Sequence, residues 1–331
     1  FAWTPTAAQT GTHAVVFWAS DKDGTNSRTF AIEVTPIYPY YHYAMGLTGA
    51  VLKAKLHDII SAGAVQLTDD QENDAMKALH TDPANPDNVY FLYNVTSSMA
   101  KALYNDTYGW NKEHCWPESR GLGNEGPDQV DVHNLFAEDK YVNALRGNLY
   151  FDESDPTDAG YRSPATNVAP ETSMDSNSWS PPPASRGNVA RAVFYMATRY
   201  DGSEANTTAL WFSDDPAHTN SMGRLTTLLL WHALDPPDAL ESNKNELVYA
   251  QYQHNRNPFI DHPEWVEQIW GRDTDHDGVT DTHEIIAGER RFFFFFLAGQ
   301  REVPVRMLDA DNTAAVVMQR SENLRRGNLH P

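Results

Sequence analysis

The chain has 331 residues, a length that corresponds to about two domains, and 40% of them are hydrophobic, as in an ordinary globular protein. By itself, the formal net charge of −20 disfavours a function on nucleic acid, because phosphate recognition normally uses Lys and Arg. The longest apolar run, residues 292–298, is too short for a transmembrane helix, which excludes a membrane span. No signal peptide is visible; because the sequence begins with Phe1, we expect any export signal to have stood upstream.

Cys115 is the only cysteine, so no internal disulfide can form and cysteine usage does not identify the compartment. A cysteine nucleophile paired with the neighbouring His114 is one interpretation of this position. Adjacent residues of a strand point to opposite faces, however, so the two side chains cannot easily hydrogen-bond. We therefore expect Cys115 to have no catalytic role.

Residues 1–36 predict a β structure. Residues 12–19 and 28–35 are rich in β-branched and aromatic side chains, and residues 21–26 have the composition of a turn. This segment resembles the last strands of the bacterial immunoglobulin-like and cadherin-like repeats of secreted proteins. A full sandwich needs about 100 residues, so we expect a partial immunoglobulin-like segment.

Residues 38–271 predict an α+β domain, mostly helical outside its central strands. Hydrophobic periodicity and turn signals place its elements. We expect helices at 46–62, 136–146, 188–200, 221–234 and 246–255, strands at 89–95 and 108–116, and an irregular insertion at 152–186.

Three segments of this domain, 110–117, 131–135 and 143–148, combine groups that suit phosphodiester hydrolysis. That reaction needs a base for water, relief of charge on the phosphate and help for the leaving oxygen. Histidine can accept the proton because its unperturbed pKa is about 6.5. A hard cation such as Mg²⁺ takes oxygen ligands and retains most of its waters, so one or two protein ligands suffice.

A carboxylate, an amide and an arginine accompany the histidine of these segments. Glu113 precedes the histidine directly, and Asn143 offers an amide oxygen. Arg146 follows Asn143 by three residues and shares its face if the segment is helical. A guanidinium there would clamp a phosphate beside the metal. A salt bridge from Arg146 to Asp139 or Asp152 is the structural alternative.

The three segments resemble the signature of the endonuclease I family, which are secreted or periplasmic non-specific nucleases with a ββα-metal (His-Me) finger. Residues 187–197 resemble the next helix of that family, and residues 255–265 resemble its closing motif. The resemblance covers residues 38–271. It implies a bacterial, secreted or periplasmic enzyme that hydrolyses DNA, with RNA as a second candidate substrate, and with little sequence preference.

The resemblance also implies a role for each polar residue of the site. His114 would be the general base, with its other ring nitrogen held by a backbone carbonyl. Glu113 and Asn143 would hold a divalent cation, Mg²⁺ or in its place Mn²⁺ or Ca²⁺. Arg146 or Arg120 would meet the phosphate.

Other polar groups of the motifs are expected to be structural. We expect Asn134 to brace the loop that follows the catalytic histidine, and His133 to be a structural residue. Asp261 and His262 of the closing motif are expected to brace the fold, because the prolines around them fix the backbone.

Residues 273–284 match a twelve-residue calcium loop, with acidic side chains at positions one, three, five, nine and twelve and Gly278 at six. The loop resembles those of thrombospondin type 3 repeats and dockerins. We expect an EF-hand-like loop at 273–288 that holds a structural Ca²⁺, followed by a tail, 289–331, of unknown structure. The expected ligands are Asp273, Asp275, Asp277, Val279 through its carbonyl, Asp281 and Glu284.

Two hypotheses for the function come from different classes. The first is a secreted, metal-dependent and monomeric endonuclease that acts on nucleic acid. The second is a catalytically inactive adhesion or binding protein that is stiffened by calcium and carries a nuclease-like module. The acidic balance favours the second hypothesis, whereas the intact set of four polar site residues favours the first, which we adopt. For a nuclease, we also expect basic residues to gather around the cleft.

Overall fold

The computed structural model describes residues 11–34, 40–123, 125–213, 215–271, 302–307 and 314–319. It divides into two units, Phe1–Gly46 and Leu47–Pro331. Helices and short sheets occur together, so the predicted α+β class is confirmed. The predicted calcium loop, 273–284, lies outside the described residues, as does most of the tail. The domain boundaries expected at 36–38, 271–273 and 288–289 stay predictions.

The first unit contains a β-hairpin. Strands β1 (Gly11–Asp21) and β2 (Gly24–Val34) pair antiparallel along their full length, and Lys22 and Asp23 form the turn between them. The two predicted strands are confirmed, but the turn is shorter than the expected six residues because the ladder continues to Asp21 and Gly24. The resemblance to an immunoglobulin-like repeat stays a prediction.

The second unit contains eight helices and ten short strands within its described residues. The helices are α1 (Gly49–Ser61), α2 (Asp69–Leu79), α3 (Lys140–Arg146), α4 (Arg186–Arg199), α5 (Leu225–Leu234), α6 (Ala239–Leu247), α7 (Pro258–Asp261) and α8 (Glu264–Trp270). The strands are β3 (Thr81–Asp82), β4 (Asn85–Tyr90), β5 (Ser98–Ala100), β6 (Trp110–His114), β7 (Leu135–Asp139), β8 (Tyr150–Phe151), β9 (Ser173–Met174), β10 (Ser178–Ser180), β11 (Glu302–Met307) and β12 (Ala314–Gln319).

The strands form small sheets rather than one continuous sheet. Their orders are β3-β4-β5, β6-β7, β8-β10-β9 and β11-β12. Helix α4 is buried around almost its whole circumference and packs against α1, α5 and α7. A helix that is buried on all sides belongs to the core of a domain. The described helices include none that is long and apolar enough to cross a membrane.

Besides the packing around α4, an apolar cluster lies against the β6–β7 pair. Helix α2 contributes Met76 and Leu79, and the strands contribute Trp110, Leu135 and Ala137, all buried. This cluster supports one face of the β6–β7 pair, so the residues at the end of β6 are held on a rigid base.

The structure corrects several predicted elements. The expected helix 136–146 is strand β7 followed by helix α3, and the expected strand 89–95 ends already at Tyr90. The expected helix 246–255 is the end of α6 followed by a π-helical turn, Val248–Tyr252. Helix α2 was missed, although a capping box of Thr68 and Gln71 marks its start.

Candidate active site

Strands β6 and β7 and helix α3 form a compact ββα unit. The strands pair antiparallel, with His114 opposite Leu135 and Glu113 opposite Phe136. Because side chains alternate along a strand, Glu113 and His114 project to opposite faces. Glu113 is fully buried, whereas His114 is half-buried.

The ring of His114 is fixed by a backbone carbonyl. Its Nε2 lies 3.0 Å from the carbonyl oxygen of Gln129. A carbonyl oxygen only accepts hydrogen bonds, so Nε2 carries the ring proton and the lone pair is on Nδ1. Burial lowers the pKa of His114, and the Gln129 hydrogen bond and Glu118 oppose this only in part. The imidazole is therefore neutral at neutral pH and able to accept a proton.

Glu113 is held by a tyrosine and an arginine. Its Oε1 accepts a 2.7 Å hydrogen bond from the Tyr93 hydroxyl and lies 3.1 Å from Nη1 of Arg146. Burial raises the pKa of Glu113, while Arg146 and Tyr93 lower it. The second oxygen, Oε2, accepts no hydrogen bond from the described residues.

Helix α3 brings Asn143 against β6. Its Nδ2 donates to Oδ1 of Asn111 and to the carbonyl of Lys112, each at 2.9 Å. The amide nitrogen is thereby committed, and Oδ1 is the atom left to meet a ligand. The neighbouring strand residue is Glu113, so α3 and β6 bring the amide and the carboxylate to the same part of the unit.

The available oxygens suit a hard divalent cation. Glu113 offers a carboxylate oxygen and Asn143 an amide oxygen, which are ligand types that Mg²⁺ accepts. In the described part of the chain, no three His, Cys, Asp or Glu side chains come together as a metal site. A cation held by Glu113 and Asn143 would therefore retain most of its ligands as water.

Arg146 is buried, with 1% of its surface exposed. Its Nη1 donates to the carbonyl of His114 and its Nη2 to the carbonyl of Cys115, both at 2.8 Å. Its ion-pair partner is Glu113, and neither Asp139 nor Asp152 takes that place. Arg146 therefore holds α3, the end of β6 and the Glu113 carboxylate in one arrangement.

Arg120 is half-buried and connects three loops. Its Nε donates to the carbonyl of Asn148 at 2.8 Å, and its Nη1 donates to the carbonyl of Pro216 at 2.9 Å. The guanidinium carbon lies 5.3 Å from the centre of the Tyr150 ring. Burial, and then the charge of Arg146, lower the pKa of Arg120. Nη2 donates to none of the described residues.

A buried network around Asp131 positions the segment that faces His114. Asp131 Oδ2 accepts from the hydroxyls of Tyr195 and Tyr200, each at 2.8 Å. Its Oδ1 accepts from the backbone of His133 at 2.9 Å and from Gln253 at 3.0 Å. Sequence reasoning missed this role, because the partners lie up to 122 residues away and no local pattern links them.

Tyr93 and Glu138 were also missed. Glu138 is fully buried, and its Oε2 accepts from the backbone nitrogen of Tyr93 at 2.7 Å. Burial raises its pKa well above the usual range, and the Glu113 carboxylate adds to the rise. Glu138 thus fixes the loop whose tyrosine holds Glu113.

The residues expected to be structural have that role. Asn134 accepts from the backbone nitrogen of Trp116 at 2.7 Å and donates to its carbonyl at 3.0 Å, which braces the loop as predicted. His133 is buried against Tyr195 with ring centres 4.5 Å apart, and burial lowers its pKa to about 4. Cys115 is fully buried, and burial raises the pKa of its thiol, which fits its predicted inert role.

The closing motif also braces the fold, as expected. Asn255 donates to the carbonyl of Ile60 at 3.0 Å and to the Tyr195 hydroxyl at 2.8 Å. Asp261 forms an ion pair with Arg256 at 2.7 Å, and His262 lies 3.0 Å from Glu264.

The charge around the site is mixed. Lys112 lies next to Glu113, but its ammonium is paired with Glu72 at 2.8 Å. A surface groove that Gln129 helps to line also contains acidic side chains, among them Asp69 and Glu125. The cation closest in sequence to His114, that of Lys112, is thus compensated, and the expected basic cleft stays a prediction.

Comparisons with known proteins identify the family of this chain. A family model described as Endonuclease I matches residues 48–264, which include the whole ββα unit. An extracellular ribonuclease of Bacillus amyloliquefaciens is 42% identical over 235 residues, which cover 70% of this chain and 78% of that protein. An extracellular ribonuclease of Bacillus subtilis (strain 168) is 40% identical over the same shares of both chains. The chain is therefore a nuclease that belongs to the endonuclease I family.

Proposed function

We propose that the protein is a secreted, metal-dependent endonuclease that hydrolyses phosphodiester bonds of DNA and RNA with little sequence preference. The observation that carries this proposal is the orientation of His114. Its Nε2 is held 3.0 Å from a backbone carbonyl, so Nδ1 is available as a base. Glu113 precedes this histidine on β6, and Asn143 lies on the adjoining helix α3.

Four residues of the ββα unit have different proposed roles in the reaction. His114 Nδ1 takes the proton of the attacking water. Glu113 and Asn143 hold the divalent cation, which we assign to Mg²⁺ with Mn²⁺ or Ca²⁺ as substitutes. When bound, such a cation supplies positive charge to the scissile phosphate and the leaving oxygen. Arg146 keeps Glu113 in place through their 3.1 Å contact.

Arg120 is the better candidate for direct phosphate contact. Both terminal nitrogens of Arg146 donate to backbone carbonyls, and its side chain is buried. Arg120 is half-buried, and its Nη2 has no acceptor among the described residues. Guanidinium groups bind phosphate oxygens strongly through such free N–H groups.

Both DNA and RNA are proposed as substrates for a chemical reason. The nucleophile is water activated by His114, so the 2′-hydroxyl of RNA is not needed for attack. The two Bacillus relatives carry the name extracellular ribonuclease, which supports RNA as a substrate and secretion as the destination.

The region after the nuclease domain has a separate proposed role. Residues 273–284 bind a structural Ca²⁺ through the ligands predicted from their spacing, and this ion takes no part in the chemistry. The presence of all four site residues in the ββα unit supports the active enzyme over the catalytically inactive alternative.

Cleavage of matched substrates tests the proposal. Supercoiled plasmid and single-stranded DNA and RNA of one sequence are incubated with Mg²⁺, with EDTA, and with EDTA followed by excess Mg²⁺. We expect all three substrates to be cut, EDTA to stop the reaction and Mg²⁺ to restore it. Cleavage in EDTA, or RNA cleavage that leaves 2′,3′-cyclic phosphate ends, would contradict the mechanism.

A further inference from the structure

An exposed tryptophan and histidine form an aromatic platform near the catalytic loop. Trp211 has 43% of its surface exposed, and the side chain of His218 has 50% exposed. Their ring centres lie 5.1 Å apart at an angle of 58°. His218 thus contacts the Trp211 ring, which keeps much of its surface open to solvent.

The platform is fixed to the protein on its inner side. The backbone nitrogen of Trp211 donates to the carbonyl of Asn220 at 3.1 Å. The next residue, Phe212, turns inward and packs against Phe194, with ring centres 5.4 Å apart. Trp211 is therefore presented by a rigid anchor and loses little conformational freedom when it binds a ligand.

The same anchor reaches the segment after the catalytic histidine. The ring of Phe212 lies 6.5 Å from that of Trp116, which follows His114 by two residues. Arg120 Nη1 donates to the carbonyls of Pro216 at 2.9 Å and His218 at 3.4 Å. The arginine proposed to meet the phosphate therefore also holds the platform.

The chemistry of the platform favours an uncharged aromatic ligand. Asp215 Oδ2 lies 4.0 Å from Nε2 of His218, and this carboxylate disfavours a phosphate at the ring. Exposed aromatic rings beside a phosphate-binding arginine are typical of sites where unpaired bases stack. We propose that Trp211, supported by His218, stacks on one unpaired nucleobase of the substrate next to the scissile phosphate. This inference rests on the proposed nuclease function.

Affinity measured in EDTA tests the platform without cleavage. A fluorescein-labelled, single-stranded hexanucleotide is titrated with wild type, Trp211→Ala and Trp211→Leu, and the dissociation constant is read from fluorescence anisotropy. A set of hexanucleotides with one abasic position each identifies the stacked base. Tyr108→Ala is the matched control, because Tyr108 is 88% exposed and lies beyond the opposite end of β6 from His114.

We expect Trp211→Ala to weaken binding about tenfold, the size of one base–aromatic stack. Trp211→Leu, which keeps the apolar bulk but has no aromatic face, should lose nearly as much. One abasic position should weaken wild type about tenfold and leave Trp211→Ala unchanged. Tyr108→Ala should bind like wild type.

Three results would overturn the inference. These are wild-type affinity in both Trp211 variants, equal loss in Tyr108→Ala, or abasic losses that add fully to the Trp211→Ala loss at every position. If wild type binds with the expected pattern but never cuts when Mg²⁺ is added, the proposed nuclease mechanism fails while the platform stands.

Discussion

The position of the ring proton on Nε2 determines which nitrogen of His114 can act as the base. The Gln129 carbonyl is 3.0 Å from Nε2, so the ring is held with its basic nitrogen on the other side. Gln129 is fixed by its own side chain, which donates to Glu118 at 2.9 Å, and by the Asp131 network, which holds the segment that follows it. Burial of the ring keeps it neutral, and a neutral ring is the form that accepts a proton.

The pH dependence of cleavage follows from this shift. The folded pKa of His114 is lowered from 6.5, so the base form persists as the pH falls and is lost only below that value. We expect kcat/KM, measured from pH 4 to 9 at saturating Mg²⁺, to fall on the acid side with a midpoint below the ordinary histidine value. Glu118→Gln should move that midpoint lower, because the Glu118 charge raises the pKa of His114. A midpoint above the ordinary value would contradict the account.

Arg146 and Arg120 should differ in their effect on stability. Arg146→Ala leaves the buried Glu113 carboxylate without its cation, a change that typically costs about 3–5 kcal/mol. Arg120→Ala removes hydrogen bonds from a half-buried side chain and should cost about 1–2 kcal/mol. Urea unfolding gives both values. Equal losses in the two variants would show that Arg146 does not carry the buried charge balance.

Helix α3 is positioned by its N-cap, Asp139, which is the last residue of β7. The Asp139 carboxylate accepts from the backbone nitrogens of Tyr141 at 2.9 Å and Val142 at 3.2 Å. This cap ends strand β7 and starts the helix that carries Asn143 and Arg146. The cap at Asp139 and the proposed metal ligand Asn143 are therefore coupled through one short helix.

Two cap variants separate this coupling from a general loss of stability. Asp139→Ala and Thr68→Ala each remove one helix N-cap, of α3 and of α2, and each should cost about 1 kcal/mol in urea unfolding. Only Asp139→Ala should raise the Mg²⁺ concentration needed for half-maximal cleavage, because α3 carries Asn143. A similar rise for Thr68→Ala would argue against a specific role of α3.

The helix that carries Asn143 and Arg146 could be predicted from the sequence, whereas the residue at which it begins could not. The spacing of Asn143 and Arg146 correctly indicated a shared helix, but the predicted helix began at residue 136 and so included residues 136–139, which belong to β7. Residues Leu135 to Glu138 are all buried against other parts of the fold. This burial on both faces favours a strand over a helix in this segment. The family resemblance implied that a backbone carbonyl holds the His114 ring, but not that Gln129 supplies it. The roles of Tyr93 and Asp131 could not be predicted, because their partners come from distant segments through tertiary contacts.

For the whole molecule, the net charge of −20 limits how substrate is attracted. Long-range steering of a polyanion needs a positive field, which this chain as a whole does not supply. Under the proposals made above, binding therefore relies on a few local contacts: Arg120, the proposed divalent cation and the aromatic platform. The acidic groove beside Gln129 strengthens this expectation.

A shallow salt dependence is the expected consequence. A nuclease with one or two phosphate-contacting arginines should show a slope of about −1 to −2 in a plot of log affinity against log salt concentration. The measurement is the dissociation constant of single-stranded DNA in EDTA over a range of NaCl concentrations. A slope of about −5 or steeper would mean that many more phosphates are contacted and would contradict the local-site account.

His114, as a neutral imidazole, is proposed to be the base of a metal-assisted hydrolysis. The direct test compares plasmid cleavage at saturating Mg²⁺ by wild type, His114→Ala and Cys115→Ala, with thermal unfolding to confirm that each variant is folded. Cys115 is the matched control, because it is the next residue after His114 and its side chain is buried. Arg146 binds only the backbone carbonyl of Cys115. The account predicts that His114→Ala loses about 10²- to 10⁴-fold in rate while Cys115→Ala stays close to wild type. Equal cleavage by wild type and a folded His114→Ala would contradict it.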